Sequence, residues 1–157
     1  MSIFKEINEK IKRTKEALKP INYVADVSAQ EFHDYMTGEI FSEDTTTLQD
    51  VLGNEFLMVH ELSEMSELKK MGRKIDKRVI VDSPKTVIYK AHFKAMELEL
   101  KYAIHKKDYY WTKFRLKQHR ESVLEDNSNL PESLRSRGEE IYRKFSNLVK
   151  DRNISST

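Results

Sequence analysis

A chain of 157 residues with 38% hydrophobic and 34% charged side chains has enough apolar material for one hydrophobic core and too little for two comfortable ones. Its 28 Lys and Arg stand against 26 Asp and Glu, a net charge of +2 that excludes a global drive toward nucleic acid or a membrane surface. The absence of cysteine excludes disulfides, zinc-thiolate sites and thiol catalysis, and no run approaches the roughly 18 apolar residues of a transmembrane helix.

Ile3, Phe4, Ile7, Ile11 and Leu18 recur at helical spacing, and Pro20 ends the helix they define. This N-terminal stretch is amphipathic and charged rather than signal-like, so the protein is expected in the cytoplasm. Ser28 with Glu31 forms a capping-box pattern that opens a short helix through Phe32, Tyr35 and Met36, stopped by Gly38. Glu39 to Thr46 reads as a polar loop. A long helical pattern then runs from Leu48 to Met71, with Thr47 and Asp50 as its capping box and an interruption or bend at Gly53-Asn54. Gly72 closes it, and Val79-Ile80-Val81 in the following connection is expected to be a short extended piece or a plug beneath the loop.

Ser83-Pro84 starts the next helix, with Ser83 as N-cap and no glycine or proline in the twenty residues that follow. At about 100° per residue, Lys90, Lys94, Glu97 and Lys101 share one solvent stripe. Opposite them, among Phe93, Met96 and Leu100, lie His92 and Glu99, which the pattern therefore buries. Asp108 caps a helix from Tyr109 to Leu124; Glu125 to Asn129 is a polar turn; Pro131 opens a last helix through Ile141, Phe145 and Val149, with a frayed tail over 152–157. These elements predict an all-α, single-domain helical bundle of about five to six helices, with Leu48–Met71 and Pro84–Ile104 as a central antiparallel pair.

A buried carboxylate is costly unless a cation or hydrogen-bond donors hold it. The long helix supplies His60, Glu64 and Glu67 on one face, flanked by Phe56, Leu57, Leu68 and Met71, as expected of a helix sandwiched between layers. Folded as a hairpin, the two helices bring Glu64 toward His92 and His60 toward Glu99. His92 and Glu99 are roughly 10 Å apart along their own axis, too far to share one ion without the neighbouring helix. Neutral imidazole with carboxylate suits Zn, Fe, Mn or Ni, so His60, Glu64, His92 and Glu99 are the expected ligands of a divalent metal. Glu61 and Glu64 are then the candidate catalytic groups of a metal-dependent hydrolase acting on a phosphorylated small molecule. The structural alternative is a set of cross-helix His–Glu hydrogen bonds that satisfies buried polar groups and fixes register.

The motif order excludes two known patterns. Di-iron bundles of the ferritin kind use Glu-x-x-His, whereas His60 and Glu64 run His-x-x-x-Glu, and position 64 is not the second histidine of a zincin. Glu61-Leu62-Ser63-Glu64 resembles the first half of the paired acidic motif of all-α nucleotide pyrophosphohydrolases of the MazG kind. The second helix offers only Glu97 and Glu99 and no Asp at the matching spacing.

From Lys101 to Arg120 there are seven Lys or Arg and one Asp, interleaved with aromatics. Lys113, Arg115 and Trp111 thus define an alternative role in which the chain is a nucleic-acid-binding or protein-assembly module. Trp111 also reads as a core anchor. His33 is expected at a surface helix end, and His105 and His119 in exposed, charged surroundings. Met58, Met65, Met71 and Met96 read as core filler.

Overall fold

Helices begin where a side-chain oxygen is available for the unpaired N–H groups of a first turn. The computed structural model describes residues 2–41, 46–125 and 129–152, which form eight α-helices and no strand. Ser2 caps α1 (Ile3–Leu18), and the Ser28–Glu31 capping box opens α2 (Ala29–Met36). The Thr47–Asp50 box opens α3 (Leu48–Leu52), and Asp108 caps α7 (Tyr109–His119). The expected 42–45 part of the polar loop, the 126–128 part of the polar turn and the 153–157 part of the tail lie outside the described residues.

The count of eight departs from the expected five to six at two places. The Leu48–Met71 pattern divides at Gly53-Asn54: Asn54 leaves helical space at φ −138° and its Oδ1 accepts from Phe56 N and Leu57 N, starting α4 (Glu55–Lys70) as a separate helix. Val79–Asp82 is not extended but a single helical turn, α5. Ser83 does not cap α6 (Lys85–His105); its hydroxyl accepts instead from Arg73 Nε at 3.0 Å, tying the end of the connection to its beginning. Gly72, at φ +86°, supplies the left-handed residue that turns the chain out of α4. The pattern expected to continue to Leu124 leaves the α-helix at His119 and becomes a π-helical turn over Arg120–Glu125. The last helix, α8, spans Glu132–Val149.

Helix α4 is buried on several sides, through Phe56, Met58, Val59, Leu62, Met65 and Leu68. Helix α6 packs along it, with Glu55 meeting Tyr102, His60 meeting Glu99 and Glu64 meeting His92, so positions rise on one helix as they fall on the other. Ile88, Ala91, Leu98 and Tyr102 join α1 to α4 in one core cluster. Tyr89, Phe93, Met96 and Leu100 join α7 and α8 in a second. A helix shared by two clusters must be apolar over most of its circumference, which explains the nearly unbroken hydrophobicity of α6. Between α1 and α2, Tyr23, Ala25 and Val27 are buried while Val24 and Asp26 are exposed; this alternating strap lies over α4 through Asp26 N to Ser66 Oγ and Tyr23 Oη to Glu67 Oε2. No helix among the described residues is long and apolar enough to cross a membrane.

Asn54→Ala is expected to cost about 1 kcal/mol, because two N–H groups of α4 lose their acceptor. Thermal denaturation should show a midpoint lower by roughly 2–4 °C, restored by Asn54→Asp; an unchanged midpoint would show that α4 does not depend on its cap.

Candidate metal centre

One turn of α4 separates His60 from Glu64, and two turns of α6 separate His92 from Glu99, so each helix contributes an imidazole and a carboxylate to the seam. His60 stands between two carboxylates: Nδ1 is 2.9 Å from Glu99 Oε1 and Nε2 is 2.9 Å from Glu64 Oε2. His92 Nδ1 lies 3.7 Å from the same Glu64 oxygen, and the two imidazole rings are 4.9 Å apart in an edge arrangement. One donor atom each from His60, Glu64 and His92 falls within 4.8 Å of the others. These three can hold a metal ion.

Glu99 is not part of that convergence, contrary to its expected place among the ligands. Its Oε2 accepts from Trp111 Nε1 at 2.7 Å and Arg115 Nε at 2.6 Å, while Oε1 accepts from Arg115 Nη2 at 2.9 Å and pairs with His60. With both oxygens engaged and no exposed surface, Glu99 is the anchor behind His60. The other carboxylate, Glu64, accepts from Tyr35 Oη at 2.8 Å through the oxygen that His60 leaves. His92 is less enclosed than expected, with 23% of its side chain exposed, and its Nε2 has no hydrogen-bond partner among the described residues. The nitrogen that faces Glu64 is the other one, Nδ1.

The charges are fixed by competition between burial and partners. Burial alone would raise the Glu99 carboxyl, but the Arg115 guanidinium and the hydrogen bond with His60 hold it at about 2. Burial likewise opposes ionisation of Glu64, and His60 and His92 outweigh it, holding that carboxyl far below its usual range. Burial would lower His60, yet the hydrogen bonds and charges of Glu64 and Glu99 raise it to about 10. At neutral pH the two carboxylates thus face an imidazolium and a guanidinium, and the buried charges balance. A divalent ion would replace the proton on His60 Nε2 and leave Nδ1–H on Glu99, the arrangement that fixes tautomer and ring orientation in carboxylate–histidine–metal sites.

The remaining expected residues separate. Glu61, one position along α4 from His60, is half-buried and lies outside the three-donor group, so the cluster gives it no catalytic geometry. Glu67 accepts from Tyr23 and Lys70. Trp111 and Arg115, expected on a nucleic-acid surface, turn inward: Trp111 stacks on Phe56 at 5.2 Å and both donate to Glu99. Lys113 donates to the Arg152 carbonyl. His33 packs on Phe4 at 4.9 Å, and His105 is exposed. His119 is not exposed but 1% accessible; its Nε2 donates to Gly138 O at 2.9 Å and its ring meets the edge of Phe93. Burial pushes its pKa down to about 4. The close approach needs Gly138, where a Cβ would lie 2.9 Å from Leu124 and 3.1 Å from Phe93.

Sequence reasoning missed Tyr35 and the inward role of Arg115. The available signal was the unpaired demand of Glu99: a buried acid one imidazole cannot satisfy requires a cation from a third helix, and Trp111 with Arg115, one turn apart, supplies indole and guanidinium on one face. No protein-family model, curated protein or solved structure matches this chain.

Proposed function

We propose that this chain is a divalent-metal protein in which His60 Nε2, a Glu64 oxygen and a His92 nitrogen hold one ion, and that the centre hydrolyses phosphorylated small molecules. The observation that carries the reading is the convergence of those three donor atoms within 4.8 Å, with Glu99 behind the His60 ring. Two imidazoles and a carboxylate match Zn best and also suit Fe, Mn or Ni. Three protein ligands leave a position open, and an ion so held acidifies water and polarises a phosphoryl oxygen. Tyr35 orients Glu64, Glu99 orients His60, and the partly exposed edge of His92 marks the side from which substrate would enter.

A specific observation favours a second reading. His60 already has both nitrogens on carboxylates and the cluster charge is balanced, which is what a structural network fixing helix register requires. In that case the chain is a non-enzymatic binding or assembly module. Zinc titration separates the two. The metal reading expects about one equivalent bound by the wild type, affinity reduced by at least about 100-fold in His92→Ala, and an unchanged helical circular dichroism spectrum. Glu64→Gln should then abolish hydrolysis of a phosphate monoester while the helices persist. Equal zinc affinity in wild type and His92→Ala would leave the structural network standing.

A further inference from the structure

Helix α7 turns Trp111 and Arg115 inward, and its opposite side carries a separate surface. Around the helix axis Lys113, Lys117, Tyr110 and Phe114 follow one another. Tyr110 is 65% exposed and Phe114 is 42% exposed, one turn apart. Beside them α7, the π-helical turn and α8 enclose a cleft of about 400 Å³, whose lining includes Lys113, Lys117, Arg120, Tyr142, Val149 and Lys150. Glu121 and Glu125 also line it, and Glu125 is engaged by Arg120 at 2.9 Å. Lys117 and Lys150 form no ion pair among the described residues, so two ammonium groups remain uncommitted at the cleft while two aromatic rings stand in solvent next to it.

We propose that this face binds single-stranded nucleic acid, its phosphates following Lys117, Lys113 and Lys150 along the cleft and its bases stacking on Tyr110 and Phe114. Charge complementarity selects a polyanion, and the exposed rings select one whose bases are unpaired, because a duplex hides its base faces. The aromatic platform is sequence-tolerant, so binding without strong base preference is expected. A free phosphate or a mononucleotide would use the cations of the cleft and have no need of Phe114. This face lies on the side of α7 away from Trp111 and Arg115, the partners of Glu99, and its occupancy is independent of the metal centre.

Fluorescence anisotropy with a labelled oligothymidylate of roughly 20 nucleotides, longer than one such site, tests the assignment. Saturable binding is expected at low salt, weakening with a log–log slope of about −2 for two to three displaced counterions. The exposed pair Tyr110→Ala and Phe114→Ala should weaken binding at least tenfold and leave the slope unchanged, whereas Lys117→Glu with Lys150→Glu should weaken it and flatten the slope. His92→Ala should bind as the wild type does, which keeps this result separable from the fate of the metal reading. No saturable binding at low salt, equal affinity for a duplex of the same length, or full affinity after loss of both aromatics would overturn the proposal; the last outcome would point to a small phosphate ligand in the cleft.

Discussion

Glu99→Leu is expected to destabilise the protein by about 3–5 kcal/mol, the largest effect of any single substitution considered for this fold. The carboxylate is fully buried and holds Arg115 through both oxygens, the Trp111 indole and the His60 ring. Removing it takes the carboxylate from the Arg115 guanidinium and from one nitrogen of His60, and leucine returns only part of the loss as apolar contact. The thermal midpoint should fall on the order of 10 °C. Glu99→Leu combined with Arg115→Met should recover part of that loss, because the second substitution removes the charge whose carboxylate the first has taken away, and the two effects should fall short of additivity by roughly 0.5 kcal/mol or more, the scale seen for contacting residues. Loss of under about 1 kcal/mol in the single variant would show that the network does not hold the bundle together.

Stability is also expected to decline on the alkaline side, between about pH 6.5 and pH 10. His60 rises from 6.5 in the unfolded chain to about 10 when folded, so the folded state holds the proton more tightly. Its contribution is complete below pH 6.5 and is lost as pH rises through the folded value. The carboxyls work in the opposite sense: Glu99, lowered from 4.5 to about 2, and Glu64, lowered further, stabilise above pH 4.5 and cease to do so as pH falls through their folded values. His119, lowered from 6.5 to about 4, adds a further loss on acidification below pH 6.5, since the unfolded chain then takes up a proton that the folded chain refuses. The optimum therefore lies near pH 6.5. Urea denaturation from pH 6 to pH 9.5, below the range in which the buried Tyr23 and Tyr102 hydroxyls ionise, should show a fall on the order of 3 kcal/mol. In His60→Gln the slope should largely vanish whatever the absolute stability. A wild type equally stable at pH 7 and pH 9.5, or a variant that keeps the slope, would contradict the imidazolium.

The parts of this architecture that could be read from the chain are those set by local chemistry. Helix starts at Ser28, Thr47 and Asp108 follow from side chains that accept hydrogen bonds two or three residues ahead, and these are written in the sequence. His60, Glu64, His92 and Glu99 stand out because a polar residue on an apolar helix face is conspicuous; the structure groups the first three, with Glu99 behind His60 and outside the group. What could not be read was rotation between helices. Whether Arg115 meets solvent or Glu99 depends on how α7 docks against α6, and that is decided by packing among Trp111, Phe56 and the rest of the core, residues far apart in sequence. His119 fails for the same reason: its neighbours in sequence are charged, while its neighbours in space are Phe93 and the Gly138 carbonyl. The division at Gly53-Asn54 was visible as an interruption, but only the Asn54 cap, with its two hydrogen bonds, turns a bend into two helices.

In the proposed function His60, Glu64 and His92 form one metal centre backed by Glu99. Anomalous diffraction at the zinc edge from crystals grown with one equivalent of zinc tests it most directly. A single strong peak is expected, bounded by His60 Nε2, a Glu64 oxygen and a His92 nitrogen at about 2.0–2.2 Å, with His60 Nδ1 still donating to Glu99. Zinc found only at surface carboxylates, with the His60 ring still bridging Glu64 and Glu99 and no density between the three donors, would contradict it.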